Sequence, residues 1–152
     1  MRVGIPREIK SHEGRVVLTP KACSALVQDG FAVCMEQDAG SLSGYQDQAY
    51  IEAGVTILPD AETLYGESEL ILKVKEPIDR ELELLRPDHQ LFSFLHLAAA
   101  PELAEHLRLL GMTAYAFETL ELDGSFPILA PMSEIAGKVL ADRLSPFRRW
   151  RL

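Results

Sequence analysis

Two short apolar runs, each followed directly by a chemically active side chain, constrain the fold of this chain more than any other feature. Residues 69–74 and 91–95 have the length and apolar content of buried strands, and Lys75 and His96 come next. Helical patterns alternate with such runs, which predicts an α/β fold: a mainly parallel sheet with helices on both faces, Rossmann-like or flavodoxin-like. Ligands collect outside the carboxyl ends of such strands, so we expect a site beside Lys75 and His96.

The remaining elements follow from turn and capping patterns. Thr19 before Pro20 has the form of a helix start, because the hydroxyl caps the helix and proline needs no N–H partner there. Asp60 and Asp79 are predicted to cap two later helices through their side chains, and Ser133 the last helix. Asp123-Gly124 suits a type I′ turn and predicts a small hairpin. Further strands are predicted over 2–5, 31–36, 55–58 and 113–117.

Composition excludes several classes of protein. The 152 residues are 47% hydrophobic, which is enough for one core and one domain. A net charge of −8 and a pI near 5.0 argue against a nucleic-acid partner. No apolar run could span a membrane and the first residues do not resemble a secretion signal, so we expect a cytoplasmic protein. Cys23 and Cys34 match no metal or redox spacing, which predicts two buried thiols and no metal site.

A third cation, Arg15, is predicted on the loop after the first strand, at the same edge as Lys75 and His96. An arginine fork holds a carboxylate, a lysine polarises a carbonyl oxygen, and a histidine moves a proton near neutral pH. A 2-oxo acid or an α-amino acid carries the matching groups on adjacent carbons. Taken singly, each residue also has an ordinary interpretation: a solvated arginine, a lysine that extends to water, and a core histidine.

Five segments together resemble the N-terminal part of the alanine dehydrogenase family, which is grouped with the proton-translocating nicotinamide nucleotide transhydrogenases. They are MRVGIPREIKSHEGRVVLTP, LILKVKEP, FSFLHLAAAPEL, AYAFETLE and LAPMSEIAGK. The resemblance runs from residue 1 to about residue 141. It implies the substrate domain of an enzyme that uses NAD to deaminate L-alanine reversibly to pyruvate and ammonia.

Site residues follow from this resemblance by position. Arg15 and Lys75 correspond to the residues that bind the substrate, and His96, with Lys75, to the catalytic pair. Met132 corresponds to a position beside the substrate, and Ser133 to one next to the nicotinamide nucleotide. The transhydrogenase branch is the alternative, but KVKEP and FLHLAA follow the dehydrogenase side; saccharopine dehydrogenases fit the first segment and PMSEIAG less well.

The end of the chain departs from the family pattern. After a domain over residues 1–141, the family continues into a Rossmann domain, whereas residues 142–152 form a basic tail and G-x-G-x-x-G is absent from the sequence. The family's catalytic aspartate has no counterpart here. We therefore expect a substrate-domain portion that is inactive without a separate Rossmann-domain chain. The alternatives are a truncated, non-catalytic remnant that binds a small carboxylate or forms homo-oligomers, and a tail that binds an acidic partner.

Overall fold

The computed structural model describes residues 1–78 and 80–144, the last four as backbone only. The predicted helix cap Asp79 and most of the predicted tail, including Phe147 and Trp150, lie outside these residues. The chain divides into two compact units, 1–116 and 117–152, which are described separately.

The first unit is an α/β structure around one six-stranded parallel sheet. Its strands are β1 (Arg2–Ile5), β2 (Ala32–Glu36), β3 (Thr56–Leu58), β4 (Leu70–Lys75), β5 (Gln90–Phe94) and β6 (Thr113–Ala116). They lie in the order β3-β2-β1-β4-β5-β6, and every neighbouring pair is parallel. This is the Rossmann strand order, with the order reversing between β1 and β4. The predicted fold class is confirmed, in its Rossmann-like form.

Among the described residues, five α-helices belong to the first unit and one to the second. They are α1 (Pro20–Gln28), α2 (Asp47–Glu52), α3 (Ala61–Glu67), α4 (Arg80–Leu84), α5 (Pro101–Leu110) and, in the second unit, α6 (Leu129–Leu144). The side chain of Thr19 accepts a hydrogen bond from the N–H of Ala22 at 3.3 Å and so caps α1 as predicted. Gly111, at a φ of 74°, ends α5 in the left-handed conformation that glycine adopts without strain.

Helices cover both faces of the sheet. Val33 and Cys34 are neighbours in β2, so their side chains point to opposite faces, and each belongs to a different core cluster. The Val33 cluster includes Cys23 of α1 and Tyr50 of α2, while the Cys34 cluster includes residues of α3 and α5. Cys23 and Cys34 are buried, unpaired thiols, as predicted, and burial raises the pKa of Cys23 to about 11.

The pairing of β4 with β5 contains an irregularity that matters for the site. Leu72 pairs with Phe92, but the next aligned pair is Lys75 with Phe94. Two residues of β4, Lys73 and Val74, therefore oppose one residue of β5. This is a β-bulge, and bulges redirect the side chains that follow them.

One local prediction for the second unit is wrong and another holds in part. The last helix begins at Leu129, so Ser133 lies within α6 instead of capping it; Pro131 is tolerated because the first helical turn has no N–H bonds to lose. Helix α6 ends at Leu144. The predicted hairpin is reduced to one antiparallel bridge, Leu122 with Ser125, around a turn with positive φ at both central residues.

Within the described residues, no helix combines the length and hydropathy needed to cross a bilayer.

Candidate functional site

Lys75 and His96 lie at the carboxyl ends of neighbouring parallel strands. Lys75 is the last residue of β4, is half-buried, and pairs in register with Phe94 of β5. His96 follows β5 by two residues, and its ring stacks on the ring of Phe94 with centroids 6.0 Å apart and planes 13° apart. Phe94 therefore neighbours both residues, Lys75 through the sheet register and His96 through its ring, and a shared site for the two stays a prediction.

The backbone of His96 adopts a left-handed conformation, with φ of 50° and ψ of 37°. This conformation costs a residue with a side chain about 1–2 kcal/mol. It ends β5 and starts the short 3-10 helix Leu97–Ala99, where the N–H of Ala99 donates to the carbonyl of His96 at 2.8 Å. Such strain accumulates at functional sites, because the surrounding structure has to maintain it.

Arg15 is held by a carboxylate two residues earlier in the same loop. Its Nε donates to Oε1 of Glu13 at 2.8 Å and its second terminal nitrogen donates to Oε2 at 2.6 Å, while its backbone N–H donates to Oε1 at 2.9 Å. The side chain of Glu13 is only 8% exposed, against 43% for Arg15. A fork of two parallel bonds fixes the plane of the guanidinium as well as its position.

Glu13 also links Arg15 to Lys75 electrostatically. The hydrogen bond from Arg15 lowers the pKa of the Glu13 carboxyl, and the positive charge of Lys75 lowers it further. Charge interactions of this kind require proximity. Arg15 and Lys75 therefore both act on the charge of the Glu13 carboxylate, and Phe94 neighbours Lys75 in the sheet register and His96 through its ring. Glu13 and Phe94 were not among the predicted site residues.

Beneath Lys75 lies a buried ion network that the sequence analysis also missed. Nζ of Lys73 is 2.6 Å from Oε1 of Glu81 and 3.3 Å from Oε2 of Glu8, and all three side chains are at most 5% exposed. The hydroxyl of Tyr65 lies 3.4 Å from the same Glu81 oxygen. Burial raises the pKa of Glu8, and the charge of Lys73 opposes that rise. A lysine within an apolar strand was the available signal, because a buried charge requires a partner.

Met132 and Ser133 belong to the second unit. They are the fourth and fifth residues of α6, in the second unit, where Met132 is half-buried and Ser133 is exposed. Their roles stay predictions.

The first unit does not fit a dinucleotide, despite its strand order. In dinucleotide-binding folds a tight glycine turn joins the first strand to a helix whose N-terminus binds the pyrophosphate. Here residues 6–19 separate β1 from α1, and α1 begins with Pro20, which has no N–H to offer. A cleft of about 230 Å³ at the ends of β1, β2 and β3 is lined by four acids, Glu36, Asp60, Glu62 and Glu81, and by two arginines, Arg7 and Arg80, so acidic groups outnumber the cations that could bind phosphate. In the part of the chain that the structure describes, no group of acidic, histidine or cysteine side chains could hold a metal ion.

Comparisons with known proteins agree with this fold. Residues 4–136 match the family model "Alanine dehydrogenase/PNT, N-terminal domain". The chain is 44% identical to an alanine dehydrogenase of Bacillus subtilis over 93% of its own length, and 44% identical to one of Methanococcus maripaludis over 91%. Among solved structures, an L-alanine dehydrogenase superposes on 97% of the chain with a TM-score of 0.91 and 44% identity. A transhydrogenase from Sinorhizobium meliloti matches 80% with a TM-score of 0.74 and 27% identity.

The relatives are much longer than this chain. It spans 37% and 38% of the two alanine dehydrogenases, and 41% of the solved one. The similarity therefore concerns their N-terminal portion, and on that evidence the chain belongs to the alanine dehydrogenase/PNT N-terminal domain family.

Proposed function

We propose that this chain is the substrate-binding portion of an L-alanine dehydrogenase, the enzyme that interconverts L-alanine with pyruvate and ammonia. One observation carries the proposal. Lys75 and His96 flank Phe94 at the carboxyl ends of adjacent strands, in a chain 44% identical to alanine dehydrogenases.

In this proposal Arg15 and Lys75 bind the substrate. Arg15 holds the carboxylate of alanine or pyruvate, with Glu13 fixing the orientation of its guanidinium. Lys75 places its ammonium against the oxygen or nitrogen on the adjacent carbon and polarises that bond.

His96 is the proposed catalytic acid and base. An imidazole donates and accepts protons near neutral pH, so it suits the transfer of a proton to or from the carbonyl oxygen or the amine. The left-handed backbone of His96 and the stacking on Phe94 limit the directions in which the ring can point. Met132 beside the substrate and Ser133 beside the nucleotide complete the proposed residues.

The cofactor NAD accepts a hydride in this reaction, and we propose that its main binding site lies in the portion that the longer relatives add. Residues 6–19 form no phosphate-binding turn, so we derive no step through the nucleotide for this chain. A Rossmann-domain chain or a second copy of this chain is the proposed partner. The proposed compartment is the cytoplasm, where buried, unpaired thiols such as Cys23 stay reduced.

Pyruvate titration of the purified chain, followed by NMR, tests the substrate site. We expect weak saturable binding, and Arg15→Ala should weaken it about tenfold or more, because a hydrogen bond to a charged group is lost. Lys75→Ala should weaken it as well. Arg108→Ala is the matched control: Arg108 also forks onto a carboxylate, Glu105, with two bonds of 2.7 Å, but on the exposed surface of α5. Binding that ignores both Arg15→Ala and Lys75→Ala would refute the site.

A turnover assay separates this proposal from its alternatives. The 152-residue polypeptide should neither reduce NAD with alanine nor bind NADH measurably, because positioning two reactants supplies much of an enzyme's rate. Turnover abolished by His96→Ala would show a nucleotide site within these residues. The resemblance to a transhydrogenase favours a second candidate, the N-terminal domain of that enzyme. That candidate predicts no pyruvate binding that depends on Lys75 and His96.

A further inference from the structure

Two lysines of β4, Lys73 and Lys75, have different surroundings although they are only two residues apart. In a regular strand residues i and i+2 face the same side of the sheet. Lys73 contacts Glu81, on the side of the sheet where Tyr65 of α3 packs. Lys75 is aligned with Phe94, and Phe94 faces the opposite side from its neighbour Leu95, a member of the Tyr65 cluster. The bulge between them is therefore what separates the two lysines.

Glu8 occupies the bulge. One of its carboxylate oxygens accepts the N–H of Val74 at 2.6 Å, and both oxygens lie 3.4 Å from the N–H of Lys75. A bulge leaves backbone groups without ladder partners, and a buried N–H without a partner is costly. Glu8 comes from the loop after β1, so it joins the two strands between which the strand order reverses.

Lys73 holds the carboxylate of Glu8 through an ion pair, in addition to the backbone bonds that Glu8 accepts. Its ammonium contacts Glu8 at 3.3 Å and Glu81 at 2.6 Å, and the second oxygen of Glu81 accepts the N–H of Ile78 at 3.1 Å. Glu81 thereby ties the segment after β4 to the same cluster. The backbone on both sides of Lys75 is held by buried carboxylates.

We propose that Glu8 is a positioning residue: it fixes the bulged end of β4 and so directs Lys75 into the substrate site. The identity of that site rests on the proposed function, whereas the hold on the Lys75 backbone does not. The side chain of Glu8 bonds the strand that carries Lys75 and acts through it, without contacting the substrate.

Glu36 provides a matched control at the same edge of the sheet. It is the last residue of β2, its side chain is 8% exposed, and its Oε2 accepts the N–H of Arg7 at 2.9 Å. It thus resembles Glu8 in burial and in bonding the backbone next to a neighbouring strand. It bonds neither the bulge nor Lys75.

The experiment compares Glu8→Ala, Glu8→Gln and Glu36→Gln in the full chain, using pyruvate as the probe. Glu8→Ala should weaken pyruvate binding about tenfold, and Glu8→Gln less, because its amide oxygen still accepts the N–H of Val74. Glu36→Gln should stay within about twofold of the parent. If Glu8 acts through Lys75, the double variant Glu8→Ala/Lys75→Ala should bind no more weakly than Lys75→Ala alone. A merely structural role predicts additive losses, and additivity would overturn the proposal.

A second readout does not depend on substrate binding. Acetylation of Lys75 is compared with acetylation of exposed Lys21 in the same molecule by mass spectrometry. We expect the ratio to change about threefold or more in Glu8→Ala, less in Glu8→Gln, and not in Glu36→Gln, because Glu8 bonds the Lys75 backbone and Glu36 bonds that of Arg7. An unchanged ratio would overturn the proposal even if pyruvate binds. A changed ratio in a chain that binds no pyruvate would sustain the positioning role and reject the proposed function. If Glu8→Ala does not fold, Glu8→Gln alone decides.

Discussion

The two ends of the sheet are built from different interactions. At the amino end, His89 is buried just before β5 and its bonds involve backbone groups: Nδ1 accepts the N–H of Arg86 at 3.1 Å, and Nε2 donates to the carbonyl of Tyr65 at 3.0 Å. Its ring is therefore neutral. At the carboxyl end, the buried groups are the charged Glu8, Lys73 and Glu81.

The difference shows at which end of the sheet the fold contains desolvated charges, whose burial is unfavourable. Neutral hydrogen bonds to the backbone close the amino end without any buried charge. Desolvated charges are expensive, and replacing them with apolar side chains is often stabilising. A buried ion network at the end that carries Lys75 and His96 is therefore better explained by the position of those residues than by stability.

The largest expected effect tests the charged end. Lys73→Met removes the cation between two buried carboxylates and should lower the free energy of unfolding by about 3–5 kcal/mol. Urea unfolding followed by circular dichroism measures it. Lys21→Met, at an exposed position of α1, should change stability by no more than about 0.5 kcal/mol. Equal effects of the two changes would mean that Glu8 and Glu81 tolerate the loss of their cation, against the prediction.

A smaller effect is expected from close packing of β1 against Ser68, which precedes β4 at the amino end. A Cβ atom on Gly4 would lie 2.1 Å from Oγ and 2.8 Å from Cβ of Ser68. Gly4→Ala should therefore cost about 1–3 kcal/mol through overpacking. The control is Gly66→Ala in α3, where an added Cβ meets nothing within 4 Å; it should be neutral or stabilise by about 0.5–1 kcal/mol. The same urea titrations apply, and a neutral Gly4→Ala would contradict the packing.

The smallest effect concerns pH at the neutral end. Burial lowers the pKa of His89, so the unfolded chain binds more protons than the folded chain between that pKa and about 6.5. The stability contributed by neutral His89 is complete above about pH 6.5 and is lost as the pH falls through the folded pKa, which urea titrations at several pH values would measure. His89→Gln should remove this component of the pH dependence. His106→Gln should keep it, since His89 remains, and identical pH profiles for the parent and His89→Gln would exclude the effect.

The sequence predicted the elements because their patterns are local. Thr19 and Asp60 cap helices through side-chain bonds to N–H groups three residues ahead, at 3.3 and 2.8 Å, so their role is visible within one turn. The misplaced start of α6 has a local cause as well, since the motif Pro-Met-Ser resembles a cap whether or not the helix has already begun. Lys75 ends β4 and His96 follows β5 by two residues, so local strand patterns were enough to place both beside strand ends.

The site's supporting residues could not be predicted in that way. Glu8 and Lys73 are 65 residues apart, and their contact depends on which strand lies beside β1. The bulge in β4 has no glycine or proline to mark it, so the KVK pattern predicts two lysines on one face. The sequence places Glu13 two residues before Arg15, but whether the two side chains form an ion pair depends on the conformation of the loop.

Tyr65 connects the two ends of the sheet through its backbone carbonyl and its side-chain hydroxyl. Its carbonyl accepts bonds from His89 and, at 2.8 Å, from Arg86, while its hydroxyl lies beside Glu81. Residues at the two ends therefore share a partner, and residues that share a partner do not contribute independently. In a double-mutant cycle, His89→Gln and Lys73→Met should show a nonzero coupling energy although neither side chain bonds the other. Through this one residue, we expect the stabilities of the two ends of the sheet to be energetically coupled.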